Sequence, residues 1–227
     1  GLDLDDTPQK TAIQCIITLN GHKKSPFYNR IKFYGGDYSQ ENSPPLSQAT
    51  MAKSIVGLIS ENLRESERDR HKKRKELLSR SLSSRKLLPF RKYYANNQDN
   101  VISDIMYYYF DAIRKTFPSF WEIESNTAGR PTNILQTTVG YESLMKTLVD
   151  LLQKENLSEF NTSDIFIPYL TKCRNLPIYD NNYFTFNNRG KNLLYLEMDL
   201  KIYPPVDSSD KRITELTALQ EITSQNS

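Results

Sequence analysis

The sequence predicts a mainly helical fold, a bundle-like domain with one or two short β-strands. Three observations carry that prediction. Apolar residues recur every three or four positions in several separate stretches, the spacing of one helix face. Some of those stretches open on capping residues such as Thr7 and Ser47, and two close on Gly21 or Pro118. The chain is polar, with 37% hydrophobic residues and a mean hydropathy of −0.63, yet its 11% aromatics supply core bulk that disordered chains lack. At 227 residues it is long enough to bury a sizeable core. A single domain is expected over residues 1–203, with 204–227 as a polar tail that is partly helical near Ile213 to Ile222.

The first helix is expected from about Thr7 to Leu19. Thr7 suits the N-cap, Pro8 suits the first helical position, and Gly21 is a stop signal. Ser25-Pro26 then forces an extended entry into a short strand near Arg30 to Phe33, closed by Gly35-Gly36. After Ser43-Pro44-Pro45 a second helix, capped by Ser47, carries Met51, Ala52, Ile55, Leu58, Ile59 and Leu63 at helical spacing. The strongest helix runs from Asp99 to Thr116 and is ended by Pro118, with Val101, Ile105, Tyr108, Tyr109, Ala112 and Ile113 along one side. Another spans at least Tyr141 to Lys154, and Asn161 or Ser163 caps a short one through Leu170. The stretch Leu196 to Ile202 alternates strictly between apolar and polar residues. That pattern favours a strand with a hairpin turn at Asn187 to Gly190, although Leu193, Leu196, Leu200 and Tyr203 also fit a helix face.

Composition excludes several classes. No stretch approaches the roughly 18 uninterrupted apolar residues of a membrane span, and the amino end has no secretory apolar core. Cys15 and Cys173 are far apart and neither belongs to a CxxC pair, which excludes a disulfide scaffold or zinc ribbon and fits a reducing cytoplasm. The sequence lacks GxSxG, GxxxxGK[ST], GxGxxG and HExxH. His22 and His71 both lie in polar stretches, so no histidine-based triad or metal site is expected. Cys15 sits on an apolar face as an inert thiol, while Cys173 has Lys172 and Arg174 beside it but no nearby base. No catalytic residue, metal or cofactor is therefore expected.

The charge is unevenly placed. Between Arg64 and Lys92 there are twelve Lys/Arg against four Asp/Glu, a balance of +8, whereas the remainder, eighteen against twenty-three, carries −5. This basic insertion, residues 64–92, contains Arg68, Arg70, Lys72, Lys73, Arg74, Lys75, Arg80, Arg85 and Lys86, with Tyr93 and Tyr94 directly after it. Such residues suit phosphate contact through counterion release, and the tyrosines suit stacking on unpaired bases. The same segment, with Glu65, Glu67, Asp69 and Glu76 interleaved, also reads as a solvated helix or loop. Tyr107-Tyr108-Tyr109 reads as core packing rather than a stacking platform, because a helix cannot turn all three one way.

The run Ser25-Pro26-Phe27-Tyr28-Asn29-Arg30-Ile31-Lys32 resembles a stretch of the prokaryotic DGQHR-domain family. The flanking helices at Thr7 to Leu19 and Leu46 to Leu63, and the run Asn133 to Tyr141, are similar too, so the resemblance covers about Pro8 to Leu152. The family includes a regulator associated with DNA phosphorothioate modification and members encoded beside phage-defence systems. Its naming motif is absent: neither histidine has Gln before it or Arg after it. The resemblance therefore implies the carboxy-terminal part of a longer protein, with Gly1 a cloning remnant and any nucleotide-dependent chemistry in an amino-terminal half. It implies DNA binding or transcriptional regulation in a modification or defence locus, with Ser25, Pro26, Phe27, Tyr28, Arg30 and Ile31 as a structural junction to that half. The competing expectation is a protein-interaction or homo-oligomerisation module that does not touch nucleic acid.

Overall fold

The computed structural model describes residues 6–38, 44–61, 64, 73–77, 87–123 and 130–224. Helix α1 (Pro8–Gly21) begins where the sequence signals, the Thr7 hydroxyl accepting from the Lys10 N–H at 3.1 Å. Ala12, Cys15, Ile16 and Leu19 form its buried face. The chain then turns through Asn29, held at a φ of 55°, into β1 (Ile31–Lys32). That strand pairs in parallel with β2 (Leu46–Ser47), Ile31 opposite Leu46 and Lys32 opposite Ser47. Ser47 also caps α2 (Gln48–Val56), accepting from the Thr50 N–H at 3.1 Å.

The apolar stripe of α2 continues in sequence toward Leu63, but the regular helix stops at Val56. The carbonyls that follow are taken by distant donors. The Phe90 N–H donates to the Leu58 carbonyl at 2.9 Å, and the Arg91 guanidinium to that of Ile59 at 2.9 Å. Local N–H groups of Gly57, Leu58, Ile59 and Ser60 satisfy the end of the helix itself, and the tertiary bonds fix the turn that follows it. Residues 62 and 63 lie outside the described residues.

After α3 (Arg91–Ala95) comes the central helix, α4 (Asp99–Thr116), packed by α1, α3, α5 (Pro118–Trp121) and α7 (Ile167–Leu170). Cover on several sides buries Ile102, Met106 and Phe110 as well as the expected Ile105, Tyr109, Ala112 and Ile113, while Val101 and Tyr108 are half-buried. Phe110 stacks on Tyr141 at 5.5 Å between centroids and lies 4.6 Å from Phe27 and 6.0 Å from Trp121, the centre of an aromatic cluster. Short 3-10 turns at Ile134–Gln136, Ser163–Ile165 and Thr171–Cys173 join the later helices. Thr162, the residue between the two expected caps, caps the second of these turns.

The second half packs α6 (Thr138–Lys154) against α8 (Asn188–Ile202) and α9 (Lys211–Ser224) on α8. The strand and hairpin favoured for residues 187–202 are not formed: this is helix α8. Asn187 caps it instead of turning a hairpin, its amide oxygen accepting from the N–H groups of Arg189 at 3.0 Å and Gly190 at 3.2 Å. Leu, Glu, Met and Lys are good helix formers, and residues 191–201 contain no β-branched side chain. Alternation misled because Asp199, formally a polar position, is buried between Lys154 at 3.3 Å and Arg212 at 2.8 Å. The residues expected as a polar tail contribute α9, docked by that Arg212 pair and by Arg189, which donates to the Leu219 carbonyl at 3.0 Å. Among the described residues the architecture is mainly helical with one two-stranded sheet, and no helix is long and apolar enough to cross a membrane.

Candidate nucleic-acid interface and neighbouring clefts

Of the nine basic residues expected to meet nucleic acid, Arg68, Arg70, Lys72, Arg80, Arg85 and Lys86 lie outside the described residues, whereas Lys73, Arg74 and Lys75 are described. They open a 3-10 turn, Arg74–Leu77, whose Leu77 is buried against the core. Arg74 is set apart from its neighbours. Its guanidinium pairs with Asp6 and Asp99, donates to the Tyr94 carbonyl at 3.1 Å and lies over the Tyr94 ring at 4.1 Å. Burial works against its charge, but the hydrogen bonds it donates to Asp99 and Asp6 outweigh that and hold the proton more firmly than usual. Only 12% of the side chain is exposed, so its donors serve the protein interior. Lys73 and Lys75, on either side, are exposed.

The basic segment is therefore held at three points. Near its end Phe90 is hydrogen-bonded back to Leu58, which precedes its start, and its middle is bolted by Arg74 to the start of α4 and by Leu77 to the core. Of the two tyrosines after it, Tyr94 is 1% exposed and donates from its hydroxyl to the Asp6 carbonyl, so it is not a stacking surface. Tyr93 is half-buried, edge-on to Phe160 and beneath the Lys92 ammonium at 4.8 Å.

The Ser25 to Ile31 run is an internal staple of this chain. The Phe27 N–H donates to the Ser25 hydroxyl at 3.1 Å, the Trp121 indole donates to the Pro26 carbonyl at 3.1 Å, and the Ile31 N–H donates to the Asn20 side chain at 3.0 Å. Arg30 lies over the Trp121 ring at 4.7 Å and donates to the Trp121 carbonyl. Ser25, Pro26, Phe27 and Ile31 are buried, leaving Tyr28 and Asn29 exposed. The run thus joins α1, β1, α4 and α5 of one body.

Two clefts flank these features. The first, about 580 Å³, opens between α2, α6 and α8. The second, about 440 Å³, runs along α1 and α4 past His22, Asp104, Tyr107, Tyr108 and Asp111. Tyr107 and Tyr108 meet edge to face at 5.1 Å and are half-buried, while Tyr109 is fully buried and donates to the Leu144 carbonyl at 2.7 Å. Burial pushes the Asp104 carboxyl above its ordinary value. Burial alone would do the same to Asp111, but hydrogen bonds from Lys115, Arg114 and Ser163 reverse the direction and hold it below the carboxylate range. A carboxyl depressed in the folded state stabilises the fold above its unfolded pKa and loses that contribution as pH falls through the folded value. Asp111→Asn is accordingly expected to cost about 1 kcal/mol at pH 7. The gap from wild type should close below about pH 4, as followed by urea unfolding at a series of pH values.

Neither thiol is placed for nucleophilic chemistry. Burial pushes both Cys15 and Cys173 up to about 12, the lysines beside Cys173 offsetting only part of the effect. Among the described residues no three His, Cys, Asp or Glu side chains gather as a metal set. No protein-family model matches this chain, and no curated protein or solved structure was found similar to it. The residues that sequence reasoning did not single out are the partners of Arg74, chiefly Asp6 and Asp99, and the lining of the first cleft. Thr50, Lys53, Ser54 and Gly57 on one side, with Glu142, Met145, Lys146 and Val149 on the other, follow a helical stripe. That stripe is the only trace the cleft leaves in the sequence.

Proposed function

We propose that this chain is the helical part of a DGQHR-type protein that binds DNA, as a regulatory component of a modification or phage-defence locus. The contact is made by the basic segment through phosphates, independently of base sequence. The observation that carries this reading is the tethering of a +8 segment to an otherwise acidic body at Leu58, Arg74 and Phe90. Tethering lowers the entropy lost when the segment engages a polyanion, and Arg74 is spent on holding it, leaving Lys72, Lys73 and Lys75 beside it to neutralise phosphates. The resemblance of the Ser25 to Lys32 run gives the family its place in the proposal.

The test is fluorescence anisotropy with labelled duplex and single-stranded DNA across a salt series. Binding is expected to fall steeply with salt, and changing Lys72, Lys73 and Lys75 together to Glu should reduce the logarithmic salt slope by about three. Arg74→Met, which removes the bolt, should weaken binding while keeping those three lysines. Undiminished binding by the triple variant overturns the phosphate role. No binding even at low salt would instead favour a protein-docking module, for which Tyr34 and Tyr179, at 101% and 73% exposure, offer contact points. Light scattering would then report the oligomeric state.

A further inference from the structure

We propose that the cleft between α2, α6 and α8 is a binding site for a small anion with an apolar body, an aromatic sulfonate or a medium-chain carboxylate in chemical class. This site is independent of the nucleic-acid reading. Its volume of about 580 Å³ falls within the roughly 300–1,000 Å³ of ligand pockets. Leu58, Leu87, Met145 and Val149 give it apolar walls.

The sign of the ligand follows from which charges in the cleft are already answered. Glu142 is paired with Lys191 at 2.8 Å. Asp150 accepts from the Tyr195 hydroxyl at 2.6 Å and has the Lys154 ammonium at 3.9 Å. The Ser54 hydroxyl is engaged with that of Tyr141 at 2.6 Å. Both carboxylates that line the cleft thus have partners. Its lysines do not have them in the same measure: Lys53 has no charged partner among the described residues. Lys146 has a 3.5 Å contact with the Asn192 amide oxygen and a place 5.3 Å over the Tyr195 ring. The charges of the two lysines, one from α2 and one from α6 above apolar walls, are therefore less fully answered than those of the two carboxylates. Such a pairing attracts an anionic head whose body leaves water.

The experiment titrates the intact chain with 8-anilinonaphthalene-1-sulfonate and, separately, with its uncharged counterpart N-phenyl-1-naphthylamine. Decanoate and decanol serve as competitors. The sulfonate should bind saturably at one site and be displaced by decanoate better than by decanol. Lys53→Met with Lys146→Met keeps side-chain length and removes both charges. It should weaken the sulfonate about tenfold and the neutral dye less than about twofold. Val149→Trp, which fills the cleft, should weaken both dyes, and circular dichroism verifies that each variant is folded. Absence of saturable sulfonate binding overturns the proposal, as does an equal effect of the double variant on both dyes, or indifference of both dyes to Val149→Trp.

Discussion

Phe27→Ala is expected to destabilise the fold by about 3–5 kcal/mol, the cost of emptying a large aromatic site in a packed core. The ring is 0% exposed and is enclosed by Phe110 at 4.6 Å, Trp121 at 6.0 Å and Tyr141 at 6.4 Å. Those neighbours belong to three different helices, α4, α5 and α6, so none can collapse into the void without moving its whole element. The surrounding turn cannot relax freely either, because the Phe27 carbonyl accepts from Arg30 at 2.9 Å and its N–H is held by Ser25. For a chain of this length about 4 kcal/mol corresponds to roughly 8–16 °C in Tm. The neighbouring Tyr28→Ala, at a ring 39% exposed, should stay within about 0.5 kcal/mol. Thermal melts followed by circular dichroism decide the matter, and equal effects of the two substitutions would refute this account of the motif.

Gly190→Ala should be comparably severe for a different reason. A Cβ there would stand 1.8 Å from the Thr185 carbonyl oxygen and 2.7 Å from its carbon, both backbone atoms that no rotamer change can move. Gly140 is built the same way, with the Ile134 carbonyl oxygen 1.9 Å from the position of an added Cβ. In both helices the N-cap side chain, Asn187 or Thr137, accepts from the N–H of the glycine three residues on. The preceding turn folds back over that glycine, so a methyl group must open the cap or push the turn away. About 2–4 kcal/mol is expected, and the two effects should not simply add, because α6 and α8 pack on each other. Gly21→Ala, where a Cβ meets nothing within 4 Å, should be neutral or slightly stabilising in the same urea titration. A mild Gly190→Ala would show that the turn over α8 is not held as described.

These cases show what local sequence transmits. Helix α4 was legible to the residue because Pro118 and the apolar spacing act within a few positions of one another. Strand β2 was not, since two residues, Leu46 and Ser47, leave no periodicity to read. Helix α8 was misread because burial of Asp199 depends on Lys154 and Arg212, which lie at other points of the chain. The basic segment was visible as composition, but composition could not distinguish Arg74 from Lys73 or Lys75. The distinction is made by Asp6 and Asp99, 68 and 25 residues away, brought together only by folding. The first cleft was hard to see for the same reason, its two striped walls, Thr50 to Gly57 and Glu142 to Val149, being far apart in the sequence.

The hydrogen bond between Phe90 and Leu58 has an implication for how such a chain can diversify. It closes the two ends of the segment between them on each other, while Arg74 and the buried Leu77 anchor its middle to the scaffold. Doubling the length of a loop adds only about 0.6 kcal/mol of closure entropy. On either side of that anchor the sequence can therefore be exchanged or lengthened while the aromatic cluster beneath remains untouched. Surface charge and foldability are in this way put under separate selection.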